Sequence, residues 1–144
     1  MSSVNRVSTD ASEDWLRKLS PDEWIRAALG EMTRAESAYD ARNLRAGVAG
    51  CKRAAGMALN AALSVEAREG WGRTYVEHLA GLAKDASAPE AVRVAALTVL
   101  GAPLPGGEVI ALRTPSSSAK ILDAARDVIA HAYAVVRRHD ADES

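Results

Sequence analysis

The segment from Asn43 to about Val65 constrains the fold of this chain more than any other. Apolar residues recur in it at three- and four-residue spacing, which is the period of a helix with one apolar face. Those residues are Leu44, Val48, Cys51, Ala55, Leu59 and Ala62. Seven alanines and three glycines lie in the same segment. Because small side chains let neighbouring helices approach closely, the segment predicts a helix against which its neighbours pack closely.

A second helix is predicted just before this one. Ser20 has the residue type of an N-cap, Pro21 follows in the first turn, and Glu23 stands three residues after the cap, which is the capping-box pattern. The pattern predicts a helix from Pro21 to about Tyr39, preceded by a single helical turn over 14–19. The short turn that follows, Asp40–Asn43, predicts that the two helices pack as an antiparallel hairpin.

Three further helices are expected after a loop at Glu69–Gly72. They are predicted over 73–84, from a cap at Ser87 to near Gly101, and from a cap at 116–118 to about His139. Pro103, Pro105 and two glycines mark the stretch between the last two as a long irregular connection, with a brief extension over 108–112. The fold class is therefore all-α, an up-and-down bundle of four or five helices with one long loop before the last helix.

The composition supports one soluble helical domain. The chain has 144 residues, 48% hydrophobic and 26% charged, with alanine abundant and phenylalanine absent, and alanine is the best helix former. We expect a disordered tail over 1–13, a single bundle domain over 14–139 and a frayed acidic tail over 140–144. The formal net charge of −1 means that any contact with nucleic acid has to come from a local patch.

Several classes of protein are disfavoured by what the sequence lacks. A single cysteine, Cys51, allows no intramolecular disulfide and no cysteine-based zinc site, and it suits a reducing cytoplasm. We expect no signal peptide and no membrane span, since no long apolar run is present. Phosphate-binding loops, His-Glu-x-x-His and nucleophile-elbow motifs are absent. Three widely spaced histidines make a metal site unexpected, and no cofactor is predicted.

The last predicted helix carries the pattern that points to chemistry. Arg126 and Asp127 are followed by His131 and Tyr133, in the form Arg-x-x-x-x-His-x-Tyr. This resembles the signature of HEPN (higher eukaryote and prokaryote nucleotide-binding) domains, which are small helical bundles found in RNases and in toxin–antitoxin pairs. The tyrosine-bearing form resembles HEPN toxins that pair with minimal nucleotidyltransferases. The alanine-rich hairpin from Trp24 to Ser64 is similar to the opening helices of that family.

The resemblance implies a role for each residue of the motif. Histidine can transfer protons near neutral pH, and the planar fork of arginine can hold a phosphate. By resemblance, His131 would transfer the proton, Arg126 would bind the scissile phosphate, and Asp127 would orient one of them. Tyr133 would help to position the pair, or would be the hydroxyl that a partner nucleotidyltransferase modifies. The implied activity is metal-independent cleavage of RNA by a homodimeric endoribonuclease or toxin component.

Two other functions stay open at this point. The chain could be a non-catalytic HEPN-like module that binds a nucleotidyltransferase or another protein, or a helical-repeat adaptor, although no second copy of a repeat is present. Structural roles compete at each site residue. His131 could be a partly buried histidine without chemistry, Arg126 could pair with Asp123 or Asp127, and Tyr133 could be a core or interface aromatic.

Helix geometry bears directly on the motif. Five residues subtend about 500° on a regular helix, so Arg126 and His131 point about 140° apart. A dimer with both motifs facing a shared cleft would partly relieve this separation. The same spacing recurs at Arg73 and His78, without the tyrosine.

A wide apolar stripe on the last helix predicts a homodimer with this helix near the two-fold axis. The stripe consists of Ile121, Leu122, Ala125, Val128, Ile129, Ala132, Val135 and Val136.

Overall fold

Five helices form the framework of the protein. The computed structural model describes Leu16, residues 18–102 and residues 115–143. Over these residues the helices are α1 (Pro21–Asp40), α2 (Leu44–Val65), α3 (Tyr75–Ala83), α4 (Glu90–Gly101) and α5 (Pro115–Glu143). The described ranges contain no strand, which confirms the all-α bundle. No helix within them is long and apolar enough to cross a membrane.

The start of α1 follows the predicted capping box. The Glu23 backbone N–H donates to Ser20 Oγ at 3.1 Å, and the Ser20 N–H donates to Glu23 Oε1 at 2.8 Å. These two bonds satisfy amide groups that a helix N-terminus otherwise leaves unpaired. Trp24 Nε1 then donates to the Leu16 carbonyl at 2.9 Å, so the chain before the cap is held against the first turn.

The second helix is the centre of the bundle. It packs against α1, α3, α4 and α5. The predicted stripe is buried apart from Leu44 at its start, which is half-buried. Glycine is required where α3 crosses, because a Cβ on Gly56 would lie 2.2 Å from Cγ of Tyr75. The close approach of α2 and α3 therefore depends on a missing side chain.

The two short helices begin by different means. Thr74 caps α3 in a capping box with Glu77, after a loop in which Gly70 and Gly72 have positive φ. The predicted Ser87 cap of α4 is wrong. Both the N–H and the hydroxyl of Ser87 donate to Asp85, at 2.9 and 2.6 Å, so its side chain closes a turn and is not available to the helix.

At the other end of α4, the side chain of Lys52 reaches across from α2. Its ammonium group donates to the carbonyls of Val99 and Leu100, both at 2.9 Å. The last carbonyls of a helix have no partner within the helix, and a cation there also complements the helix dipole. Lys52 thereby ties the central helix to the end of α4.

The last helix is longer than predicted at both ends. It begins at Pro115 and ends at Glu143. Proline fits the first helical position, so the helix starts at Pro115. Residues 116–118, predicted as the cap, therefore lie inside the helix. Residues 140–143, predicted as part of a frayed tail, are helical. The predicted tail over 1–13, the loop over 103–114 with its extension, and Ser144 lie outside the described residues.

On α3, Leu79 and Leu82 are buried and Val76 is exposed. One packing prediction needs correction. The α5 stripe that predicted a dimer surface is buried within one chain, except for Leu122, which is partly buried. The physical reason is that α5 contacts three helices, α1, α2 and α4, which together cover its apolar side. A dimer interface would have to use other residues.

Candidate functional site

Arg126 lies on the side of α5 that faces α1. Its guanidinium donates to the Glu36 carboxylate of α1 and, at 3.0 Å, to Asp123 one turn earlier on α5. The hydrogen bond to Glu36 contributes most to raising the pKa of Arg126. Of the two pairings considered from sequence, the structure has the one with Asp123. The guanidinium that would bind a phosphate therefore already donates hydrogen bonds to two carboxylates.

Asp127 is exposed and lies in a shallow groove between α4 and α5. The groove has a volume of about 220 Å³, and Lys120 and Asp123 lie along the same α5 side of it. No hydrogen bond or ion pair joins Asp127 to Arg126 or to His131 among the described contacts. In this arrangement Asp127 orients neither of them.

His131 occupies a different place, half-buried beside the two loops that flank α3. It lines a small pocket together with Arg68 and Trp71 from the first loop and Asp85 from the second. Burial lowers the pKa of His131, the positive charges of Arg138 and Arg68 lower it further, and Asp85 opposes them. The imidazole is therefore neutral at pH 7 and could accept a proton.

A network of charges surrounds this pocket, centred on Glu66 at the end of α2. The Glu66 carboxylate accepts hydrogen bonds from Arg68 at 2.7 Å and from His139 Nε2 at 3.1 Å, and Arg138 lies 3.5 Å away. The His139 and Arg68 bonds lower the pKa of Glu66, with that from His139 the largest effect. Both arginines near His131 are therefore already paired with a carboxylate.

Arg68 also connects the two walls of the pocket. One nitrogen lies 3.6 Å from Asp85, and the guanidinium carbon stands 6.0 Å from the centre of the Trp71 ring. An arginine held by two carboxylates and an aromatic ring keeps little freedom to move. The pocket around His131 is a polar, electrically balanced junction between α2, α5 and the loops around α3.

Tyr133 lies on the surface of α5. Its side chain is 46% exposed, and the Arg137 guanidinium stands 6.0 Å from its ring centre. The other two tyrosines differ. The hydroxyl of Tyr39 is buried, and burial raises the pKa of the half-buried Tyr75. Tyr133 is therefore not a core aromatic, and it is the tyrosine that another molecule can reach most easily.

The second Arg-x-x-x-x-His segment, from Arg73 to His78, contributes a histidine to the core. His78 is completely buried, with Nδ1 2.7 Å from the Trp71 carbonyl oxygen and Nε2 2.8 Å from Oδ1 of Asn60. Burial is the largest cause that lowers its pKa, so the ring is neutral and Nδ1 donates to the carbonyl. The Asn60 amide then pairs with Nε2 through its nitrogen, which a half-turn of the amide brings to the same position.

Cys51 carries the single thiol of the sequence. Cys51 is fully buried, and burial raises the pKa of its thiol to about 11, so the nucleophilic thiolate is suppressed at neutral pH. No group of three or more metal-ligating side chains lies together in the part of the chain that the structure describes.

No family model, curated protein or solved structure matches this chain. The likeness to HEPN domains therefore depends on the motif of α5 and on the helical hairpin alone. Function has to be argued from the geometry of individual side chains.

Several residues of these sites were not identified from the sequence. Among them are Glu36, which binds Arg126, Asn60, which contacts His78, and Arg68, which lines the pocket of His131. Asn60 had a usable indication, because it is an amide within an otherwise apolar helical segment, where a buried polar group needs a partner. Glu36 and Arg68 had none, since charged residues on helix surfaces and in loops are ordinary.

Proposed function

We propose that this protein is a HEPN-like helical bundle that acts as a non-catalytic module, binding a nucleotidyltransferase and presenting the Tyr133 hydroxyl to it. The observation that carries the proposal is the exposure of Tyr133 on α5, in contrast to Tyr39, whose hydroxyl is buried, and Tyr75, which is half-buried. In the motif that this chain resembles, the tyrosine at that position is the one available for modification.

The hydrogen bonds that Arg126 makes favour a non-catalytic module over an RNase. Phosphate binding needs a guanidinium whose fork is open to the ligand, whereas Arg126 donates to both Glu36 and Asp123. A scissile phosphate would have to displace a carboxylate of the protein itself. His131 also faces another side of α5, so one chain does not bring the two groups together.

The chemistry at Tyr133 would be nucleotide transfer. The phenolic oxygen attacks the α-phosphorus of a nucleoside triphosphate held by the partner, an O–P bond forms, and pyrophosphate leaves. The phenolic proton passes to a base of the partner enzyme. Arg137, already positioned over the Tyr133 ring, would then lie beside the new phosphate and could pair with it.

The test uses the intact chain, a purified minimal nucleotidyltransferase, ATP and Mg²⁺. We expect a complex of the two proteins, and a mass increase of one nucleoside monophosphate that peptide mapping assigns to Tyr133. Tyr133→Phe should form the complex but accept no nucleotide. Modification at Tyr39 or Tyr75 instead, or neither complex nor modification, would reject the proposal.

A second function, metal-independent RNA cleavage, is supported by one observation. His131 lines a small pocket with Arg68, and burial lowers its pKa, which suits a neutral general base. In this version Arg68 and Arg138 would hold the phosphate in place of their present partners Glu66 and Asp85, and Arg126 would serve only as a link between helices.

Purified protein incubated with single-stranded and structured RNA in the presence of EDTA separates the two functions. The module predicts no cleavage by the wild type. The RNase predicts cleavage that is lost in His131→Ala, by roughly a hundred- to ten-thousandfold, with the helical circular dichroism spectrum unchanged. The RNase also predicts that Arg68→Gln lowers the rate of cleavage more than Arg126→Gln does. Arg126 lies on the side of α5 away from His131.

A further inference from the structure

Exposed hydrophobic side chains are concentrated on the two short helices, α3 and α4. Five large hydrophobic residues are exposed over the described ranges, and three of them belong to these helices. They are Val76, Val94 and Leu97, each more than half exposed. Single exposed apolar residues are ordinary, but a cluster on neighbouring elements is typical of an interaction surface.

Val76 and Leu97 stand at the same level on their two helices. α3 ends at Ala83 and α4 begins at Glu90, and this short connection makes the two helices antiparallel neighbours that pack against each other. Val76 lies seven residues before the end of α3, and Leu97 lies seven residues after the start of α4. Both are therefore about 10 Å from the connected ends.

Both residues also lie at the margin where the two helices meet. Each is followed one turn later by a leucine that packs into the core, Leu79 on α3 and Leu100 on α4. Residues three apart are neighbours on a helix surface. Neither Leu97 nor Leu100 lines the groove that α4 forms with α5. Val76 and Leu97 therefore border the same seam on the outside of the protein.

Arg93 lies one turn before Leu97 on the same side of α4. It is half-buried, its Nε is buried without a hydrogen-bond acceptor, and no described ion pair joins it to Glu90 one turn earlier or to any other residue. Arg68, the other half-buried arginine of the described ranges, is instead bound by two carboxylates. A partly buried charge without a partner is unfavourable, so Arg93 indicates that a carboxylate from another molecule completes this surface.

We propose that the seam between α3 and α4 binds an amphipathic helix of a partner protein, one that presents aliphatic side chains and a carboxylate. We call this surface the α3–α4 face (Val76, Ala80, Arg93, Val94 and Leu97). The aliphatic side chains cover Val76 and Leu97, and the carboxylate binds the terminal nitrogens of Arg93 in a charge-assisted pair.

Charge complementarity selects this occupant. The face is apolar apart from one unpaired cation, so the surface that fits it is apolar apart from one anion. In a face-to-face dimer, a guanidinium near the two-fold axis would instead oppose its own copy. The proposal does not depend on the function proposed above, because no residue of the α3–α4 face lies on α5.

Synthetic helical peptides of about 20 residues test the pairing. The probe is an alanine-based peptide with leucines along one face and a glutamate beside them, and two control peptides have glutamine or lysine in place of the glutamate. Fluorescence anisotropy with the intact chain measures their binding. We expect the glutamate peptide to bind the wild type with a Kd of about 100 μM, the glutamine peptide about 10-fold more weakly, and the lysine peptide more weakly still.

Variants of the chain assign the binding to the α3–α4 face. Arg93→Gln should bind the glutamate and glutamine peptides equally, and Arg93→Glu should prefer the lysine peptide. Leu97→Gln should weaken all peptides about 10-fold or more, because a leucine side chain no longer becomes buried. Leu29→Gln and Arg26→Gln, at exposed positions of α1, are the matched controls and should bind as the wild type does. Circular dichroism should be unchanged in all of them.

Several results would overturn the proposal. One is no binding of the glutamate peptide to the wild type, and others are equal affinity for the glutamate and glutamine peptides or unchanged binding by Leu97→Gln. A wild-type dimer in light scattering that becomes monomeric in Leu97→Gln would assign the face to a second copy. Binding that requires serine in place of Val109, Ile110 and Leu112 would assign it to the chain's own residues 103–114.

Discussion

The two Arg-x-x-x-x-His segments of this chain have the same spacing and opposite environments. His78 is fully buried and both of its ring nitrogens lie within hydrogen-bond distance of protein groups. His131 is half-buried among charged side chains from three parts of the chain. Spacing alone therefore does not distinguish a structural histidine from one that can react, and the tertiary neighbours decide it.

The arginines of the two segments also have different neighbours despite the shared spacing. Arg73 precedes α3, and its backbone N–H donates to Glu77, while Arg126 is bound to Glu36 on another helix. In the α5 segment, the angle of about 140° between positions five apart on a helix separates the arginine from its histidine.

We call the surroundings of His78, with Asn60, Trp71 and Tyr75, the histidine core. We call those of His131, with Glu66, Arg68 and Asp85, the polar junction.

The largest difference should be seen on replacing each histidine. His78→Ala removes a buried ring, leaves a cavity and deprives the Asn60 amide of its partner, so we expect a loss of about 4 kcal/mol in unfolding free energy. His131→Ala, at the edge of the fold, should cost about 1 kcal/mol or less. Urea denaturation followed by circular dichroism measures both. Equal losses would contradict the division between histidine core and polar junction.

A glycine substitution tests how tightly the histidine core is packed. Gly56→Ala places a methyl group 2.2 Å from Cγ and 2.4 Å from Cβ of Tyr75. Those atoms lie close to the α3 backbone, so α3 itself must shift, at an expected cost of about 2–3 kcal/mol.

Gly30→Ala is the matched control for that substitution. Its new methyl group would approach only the end of the Arg34 side chain, at 3.9 Å, in the middle of α1. Because alanine favours the helix over glycine, we expect a gain of about 0.5–1 kcal/mol. Thermal unfolding would show opposite shifts in Tm for the two variants. If both lower the Tm, the close contact of α2 with α3 is not what makes Gly56 necessary.

Local patterns in the sequence predicted much of the fold. The capping residues around Ser20 interact within one helix, and the apolar period of α2 is visible along a single segment, so the starts of α1 and α2 were predicted within one residue. Ser87 was misassigned because Asp85, two residues earlier, binds both its N–H and its hydroxyl. That choice depends on turn geometry, which composition does not reveal.

The candidate site was less accessible from sequence. The motif singled out His131 and Tyr133, which the structure leaves partly or largely exposed. It could not show that Arg126 binds a carboxylate ninety residues earlier in the chain, or that Arg68 and Asp85 approach His131. Pairings between distant segments depend on how the helices pack, and they cannot be predicted from a single sequence.

Acid should act on both histidines in the same direction. The pKa values of His78 and His131 are lowered in the folded protein, first by burial, so the unfolded chain binds more protons once the pH falls below about 6.5. Stability should therefore be fully present above that pH and decline below it, by at most about 1.4 kcal/mol per pH unit for each histidine.

Denaturation at several pH values assigns this loss to individual residues. In His131→Gln the slope should become shallower but persist, because His78 still titrates. Tyr133→Phe, which keeps both histidines, should follow the wild-type profile. A slope that vanishes in His131→Gln would assign the whole pH dependence to the polar junction and contradict the role of the histidine core.

The smallest effect concerns Arg126 and Glu36, the ion pair that joins α5 to α1. Both side chains are exposed to a substantial degree, and exposed pairs contribute about 0.2–1 kcal/mol. A double-mutant cycle with Arg126→Ala and Glu36→Ala should give a coupling energy within that range, and it should shrink in high salt because the pair is open to screening. Arg126→Lys should keep only part of the coupling, since an ammonium cannot bind two carboxylates in the planar geometry of a guanidinium. A coupling energy near zero would mean that Glu36 does not hold the guanidinium in solution, and the argument against an RNase site at this arginine would then depend on Asp123 alone.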